Sequence, residues 1–467
     1  MDTKITQNIP TLRFPGFIEP WETKKLGEVA ETKVTNSFSR ENLNYENGEV
    51  KNIHYGDIHT KFQTLFDLEK EIIPFINSEI PIQRIVDDFY CKIGDLVFAD
   101  ASEDLNDVGK SIEIVNLNNQ KLLSGLHTIL VRPQANTFKN GFAGYLFKSS
   151  NIRQQIQKES QGSKVLSISS GRLLGVTISF PSLPEQTKIA NFLTAVDEKI
   201  QTLKKRKALL EKYKKGVMQI LFSGAGMVSG AGAVLGRDAQ LGVFTDVGTG
   251  AGIVSGTGAA GTGTGRDAIN RVSTDNHGNP FPKWENKKLG EVLIKNSIKN
   301  KSKKYILVQS VSNKYGFINQ DEMFEDRRVA SKDTSNYYVI KKGHFAYNPS
   351  RIDVGSLAYK FNEEVSVISP LYISFNANSI FLNDDYLLNW FSTQEFIKQM
   401  NSSFEGSVRN TLSYESLVKM NISIPSLPEQ TKIANFLSAI GDKINVQTQY
   451  IASMQQWKKG LLQQLFV

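Results

Sequence analysis

The stretch "SLPEQTKIANFL" occupies Ser182–Leu193 and returns letter for letter at Ser426–Leu437, 244 residues later. The likeness extends outward at the same offset: "KKGVMQILF" (Lys214–Phe222) aligns with "KKGLLQQLF" (Lys458–Phe466). Upstream, "WETKKLGEV" (Trp21–Val29) matches "WENKKLGEV" (Trp284–Val292), and a weaker echo links Gln161–Pro181 to Glu405–Pro425. Each half therefore reads as a signature, a variable body and a common segment, the pattern of an internal duplication.

The common segment carries the marks of a long helix. Ser182 and Glu185, with Pro184 between them, have the spacing of a capping box, and Ser426, Pro428 and Glu429 repeat it. Behind that start Ile189, Val196, Leu203, Leu210 and Val217 fall every seven residues, with Leu193, Ile200 and Leu221 four places after members of the series. The second copy keeps the register with Ile433, Ile440, Met454 and Leu461, interrupted by Gln447, and with Leu437, Ile444 and Ile451. Heptads sustained this far predict a coiled-coil seam about 55 Å long, a rigid spacer between two bulkier bodies. An ordinary helical bundle is the competing reading.

The bodies read differently. Short apolar runs such as "DLVFA", "HTILV", "GVTISF" and "SPLYISF" predict strands, and Gly141–Gln157 and Asn383–Met400 predict helices in corresponding places. The fold class expected is α+β: two mixed α/β domains and two long antiparallel coiled-coil helices, with a pseudo-twofold internal repeat. In sequence order this gives a first domain over 1–180, a helix over 181–222, a Gly-rich linker over 223–275, a second domain over 276–424 and a closing helix over 425–467.

Composition narrows the class. Cys91 is the only cysteine, which excludes an intrachain disulfide and a cysteine-rich zinc site. No run of eighteen uncharged apolar residues is present, and "MDTKITQNIP" lacks a secretory pattern, so a cytoplasmic setting without a membrane is expected. The net charge of +8 hints at a polyanionic partner. Residues 181–222 hold nine Lys and Arg against four Asp and Glu, whereas residues 1–180 are slightly acidic. If the first domain meets such a polyanion, it must do so through a local patch rather than through overall charge. No Walker-type phosphate loop occurs, and the five histidines lack metal-ligand spacing. Within the insert, "FTDVGTGAG" (Phe244–Gly252) imitates the first motif of S-adenosylmethionine-binding methyltransferases, but the glycine-rich run after it cannot hold the helix such a loop needs.

Two variable bodies, each opening on "W…KKLGEV" and closing on "SLPEQTKIANFL", resemble the specificity subunit of type I restriction-modification systems. The resemblance covers nearly the whole chain except the insert, which is longer than the family's usual connection. It implies a non-catalytic reader of double-stranded DNA, each domain reading one half of a split, asymmetric target. It further implies that the paired helices set the gap and dock two adenine-N6 methyltransferase subunits, with restriction subunits joining the complex. S-adenosylmethionine, ATP and Mg would belong to those partners and none to this chain. A coiled-coil scaffold without DNA specificity is the alternative, and a self-sufficient methyltransferase rests only on the glycine imitation.

Under the resemblance, two loops in each half become candidate DNA contacts. Gly94–Lys110 and Gly343–Lys360 each leave a glycine turn, run through a strand and return at a second glycine, which nominates Lys110, Asn348, Ser350, Arg351 and Lys360. The loops opening "QGSKVLSISSGR" and "EGSVRNTLS" add Ser163, Lys164, Arg172, Ser407, Arg409 and Asn410. For methyltransferase docking, the outer helix face nominates Gln186, Lys188 and Asn191, with their repeats Gln430, Lys432 and Asn435.

Overall fold

The computed structural model describes residues 9–222, 274–275, 277–320, 333–405 and 410–467. The Gly-rich stretch with its "DVGTGAG", and the candidates Ser407 and Arg409, lie outside the described residues.

The repeated phrases open two long helices, Leu183–Phe222 of 40 residues and Leu427–Gln464 of 38 residues. Each measures about 60 Å at the standard rise. The heptad series is the inward one: Ile189, Leu193, Val196, Ile200, Leu203, Leu210, Val217 and Leu221 are all under 9% exposed, as are Ile433, Leu437, Ile440, Ile451 and Leu461, while Ile444 and Met454 are half-buried. Gln447 keeps its place in the seam and is buried too. The capping glutamates do something other than cap. Glu185 receives both ends of the Arg13 guanidinium at 2.8 Å, and Glu429 accepts the Trp284 indole N–H at 3.1 Å. The chain before each domain is thereby tied to the start of that domain's own long helix.

The compact units do not follow sequence order. The first comprises residues 1–204 together with 449–467, and the second residues 205–448. Each unit thus holds one mixed domain, the start of its own long helix and the end of the other one, so the helices run antiparallel within it. In the first unit Leu461, Leu465 and Phe466 share a core with Trp21, Leu26, Phe142 and Leu193. Phe466 meets the rings of Trp21 at 6.1 Å and Phe142 at 5.7 Å. In the second unit Val217, Met218, Leu221 and Phe222 join Leu289, Tyr386, Leu417 and Leu437.

The domain of the first unit is organised by a five-stranded sheet. Its order is Ala30–Lys33, Thr128–Pro133, Leu96–Ala99, Ser111–Asn116 and Leu65–Asp67, antiparallel except for the last pair. A smaller sheet places Lys121–Ser124, Val50–Ile53, Phe75–Ile76 and Leu43–Asn44 side by side. The second unit keeps the organising strands in the order Leu293–Lys295, Ile373–Ala377, His344–Tyr347 and Leu357–Tyr359, all antiparallel. Each predicted helical stretch is two helices. Phe142–Leu146 precedes Ser150–Glu159, and Asp384–Trp390 precedes Gln394–Ser402, whose start is capped by the Thr393 side chain.

The duplication is recorded in individual bonds. Signature strand Glu22–Lys25 pairs with Thr177–Phe180, and Glu285–Lys288 pairs with Asn421–Ile424. Gln155 exchanges two hydrogen bonds with the Thr177 backbone at 2.9 Å, and Gln399 does the same with Asn421 at 2.9 and 2.8 Å. Buried Glu113 is specific to the first unit, where it accepts the N–H groups of Gly141 and Gly144 at 2.6 Å. Burial pushes its carboxyl up to about 7 against the pull of those two donors.

Candidate nucleic-acid interface

The two loops nominated separately in each half meet. In the second unit the strands His344–Tyr347 and Leu357–Tyr359 form a hairpin whose ends are set by Gly343 at φ +90° and Gly355 at φ +89°, a left-handed backbone that suits glycine. The tip folds on itself: Asn348 accepts the Ser350 N–H through Oδ1 at 3.1 Å, and Ile352 is buried as an anchor. The Leu412 N–H donates to the Pro349 carbonyl at 3.0 Å, and the Tyr347 hydroxyl donates to the Leu412 carbonyl at 3.1 Å. Ser350 lies 3.5 Å from the Thr411 hydroxyl. Ser350, Arg351 and Asn410 are therefore exposed neighbours on one edge. Arg351 has no side-chain partner among the described residues, which leaves its donor fork free for a ligand.

The first unit repeats the arrangement with other side chains. After strand Leu96–Ala99, Ala101–Ser102 pairs with Leu166–Ser167, and the Ile168 N–H donates to the Asp100 carbonyl at 2.9 Å. Arg153 clamps the returning loop by donating to the carbonyls of Asn106, Val108 and Gly109 at 3.0, 2.6 and 2.7 Å. The second loop is closed identically in both halves. Gln161 and Ser167 exchange backbone hydrogen bonds at 2.8 and 2.7 Å, and Glu405 and Thr411 do so at 2.9 and 3.1 Å. Ser163 and Lys164 are exposed at that tip. The hairpin tips differ in charge: the first presents exposed Glu103 and Asp104, the second Arg351.

Several nominated residues are placed elsewhere. Lys360 is 1% exposed and donates to the Gln309 amide oxygen at 2.6 Å, so it is not available to a phosphate. Burial lowers its ammonium below the ordinary lysine range. Lys110 is half-buried and donates to the His59 carbonyl at 2.6 Å, with Asp107 at 3.4 Å. Arg172 bonds the Glu159 carbonyl at 3.0 Å and so closes the base of the 161–167 loop.

The docking set also divides. Gln186 and Gln430 are 1% and 0% exposed and face their own domains, so they do not belong to an outer face. Gln186 accepts the Lys139 N–H at 2.8 Å and donates to the carbonyls of Thr137 and Pro181 at 3.1 and 2.9 Å. Gln430 does the same for Asn383, Phe381 and Pro425 at 2.7, 2.9 and 2.8 Å. Lys188, Asn191 and Asn435 are exposed, whereas Lys432 is half-buried and donates to the Thr274 carbonyl at 2.8 Å. Sequence reasoning missed Gln155, Gln399 and Thr411. For the two glutamines the constant offset was the signal, since Gln155 and Gln399 are identical at 244 residues' distance.

Comparison with known proteins follows the same division. The model of the type I restriction modification DNA specificity domain matches twice, over residues 18–212 and 282–456. A protein described as a type I restriction enzyme MjaX specificity subunit, from Methanocaldococcus jannaschii, is 28% identical over 212 residues, 44% of this chain and 46% of that protein. The aligned part thus spans about half the length of that relative. Among solved structures, the S subunit of a type I restriction-modification system from M. genitalium covers 98% of this chain and 99% of its own, with a TM-score of 0.52 and 14% identity. The HsdS subunit from Thermoanaerobacter tengcongensis aligns over 97% of both chains with a TM-score of 0.42 and 15% identity. With two matched segments covering most of its length, each comprising one mixed domain and most of the long helix that follows, the chain belongs to the type I restriction modification DNA specificity family.

Proposed function

We propose that the chain is the non-catalytic DNA-reading subunit of a type I restriction-modification complex, and that each unit reads one half of a bipartite, asymmetric target. The observation that carries this reading is the repeated juxtaposition of two loops on one edge of each domain: a shared backbone frame, with different side chains at its tips. A common frame with different tips suits two readers of different sequences. In the second unit Arg351, Ser350 and Asn410 supply donors for base edges and phosphates; in the first, Ser163 and Lys164 do so beside the acidic hairpin tip. A carboxylate at that tip accepts from the amino group of cytosine. The exposed Lys188, Asn191 and Asn435 face methyltransferase subunits, which bring S-adenosylmethionine, while ATP and Mg belong to the restriction subunits. The complex works in the cytoplasm.

Arg351→Ala is expected to weaken specific DNA binding by the assembled complex by about 1–3 kcal/mol if the guanidinium bonds a base. Fluorescence anisotropy over a salt series checks this. Loss of discrimination at one base pair assigns a base contact, a shallower salt dependence with unchanged discrimination assigns a phosphate contact, and no change removes Arg351 from the interface.

A further inference from the structure

The two halves differ sharply at one place where the helices meet the domains. In the first unit Asp197 lies on the first long helix and Lys458 on the second, and the lysine bonds both carboxylate oxygens at 2.6 and 2.7 Å. The Tyr145 hydroxyl donates to the same carboxylate at 3.0 Å, and the ammonium lies 5.3 Å from the Tyr145 ring centre. At an offset of 244, Asp197 becomes Gly441, Tyr145 becomes Asn389 and Lys148 becomes Ser392, while Lys458 corresponds to a retained lysine, Lys214.

The second unit therefore keeps the cation and loses what surrounded it. A recess of about 250 Å³ opens there, walled by Met218, Thr393 and Ile444 and fringed by Lys214 and Lys215. Glu211 also lines it and is ion-paired with Lys207 at 3.6 Å. Lys214 has no hydrogen-bond or ion-pair partner among the described residues, and a Cβ built on Gly441 would stand 3.2 Å from its Nζ. Burial lowers its ammonium below the ordinary lysine range, against a weaker opposing pull from the charge of Asp442. A half-buried, unpaired ammonium is costly and gains from a carboxylate brought to it.

We propose that this recess is a socket for an acidic side chain of a protein partner, with Lys214 binding an incoming Asp or Glu carboxylate as Lys458 binds Asp197. The first unit serves as the template for the occupant: one carboxylate, set against a mostly apolar wall. The socket makes the two docking ends unequal, because the first unit supplies its acid internally and the second takes it from outside. The partner is the methyltransferase subunit, so the socket rests on the function proposed above.

The test uses the full chain co-purified with that subunit. Zero-length carbodiimide coupling joins ammonium to carboxylate only in direct contact, and the Asp197–Lys458 pair is its internal control. The expected result is a Lys214 link to an Asp or Glu of the methyltransferase. Gly441→Asp should divert that link to an internal bond between Lys214 and the introduced carboxylate. It should also weaken one of the two methyltransferase binding steps about tenfold in calorimetric titration. Assembly with the control link present, Lys214 unlinked to the subunit and titrations unchanged by Gly441→Asp overturns the socket alone. Competition by DNA that abolishes a Lys214 link also overturns it, by assigning the lysine to phosphate. Failure of the wild-type chain to bind the methyltransferase at all overturns the function and the socket together.

Discussion

Removal of Gly460–Val467 is expected to unfold the first unit, although the deleted residues follow the second domain in sequence. Leu461, Leu465 and Phe466 are 6%, 2% and 5% exposed and belong to the core around Trp21, Leu26 and Phe142. Burying a large apolar side chain stabilises by about 1.5–3 kcal/mol, so the three together contribute roughly 6 kcal/mol. That is comparable with the whole stability of an ordinary domain. The truncation also removes the Gln464 carbonyl that accepts the Leu12 N–H at 2.9 Å. Hydrogen exchange read by mass spectrometry separates the outcomes. Protection should fall at Trp21–Val29 and Phe142–Phe147 and persist at Trp284–Val292. Loss confined to the second unit would contradict the shared construction of the units.

Gln430→Leu should cost about 3–5 kcal/mol, a large effect for a polar residue on a helix. Leucine fills nearly the same volume but leaves the buried Pro425 carbonyl and the half-buried Asn383 N–H and Phe381 carbonyl without partners, each at about 1–3 kcal/mol. Gln186→Leu should act equally on the first unit, through Lys139, Thr137 and Pro181. Exposed Asn435→Ala should stay within about 0.5 kcal/mol. Urea unfolding with an unchanged slope gives the comparison. A stable Gln430→Leu chain that no longer binds its partner would return the residue to the docking surface.

These glutamines mark where sequence reading reached its limit. The repeat and the seam were legible because apolar periodicity and a constant offset survive without coordinates. As a polar residue outside the apolar series, and identical in both copies, Gln186 reads from sequence as part of the outer face. Yet it lies seven residues before Leu193, on the buried side, and Gln430 stands likewise to Leu437. Helical geometry put both inward; their amides are tolerated there because three backbone groups need them. Lys360 misled in the strand counterpart. It follows buried Ala358 by two, and so shares its inward face. The juxtaposition of the loops was not legible, since it depends on long-range bonds such as Leu412 to Pro349 that no local pattern announces.

The most direct measurement is a methylation map. The chain is co-expressed with its cognate methyltransferase subunit, and N6-methyladenine is located by single-molecule sequencing. Two readers on one chain should yield a single split motif, and Arg351→Ala should relax one half of it and leave the other intact. A continuous motif, methylation without sequence preference, or equal relaxation of both halves by Arg351→Ala would contradict one half-site per unit.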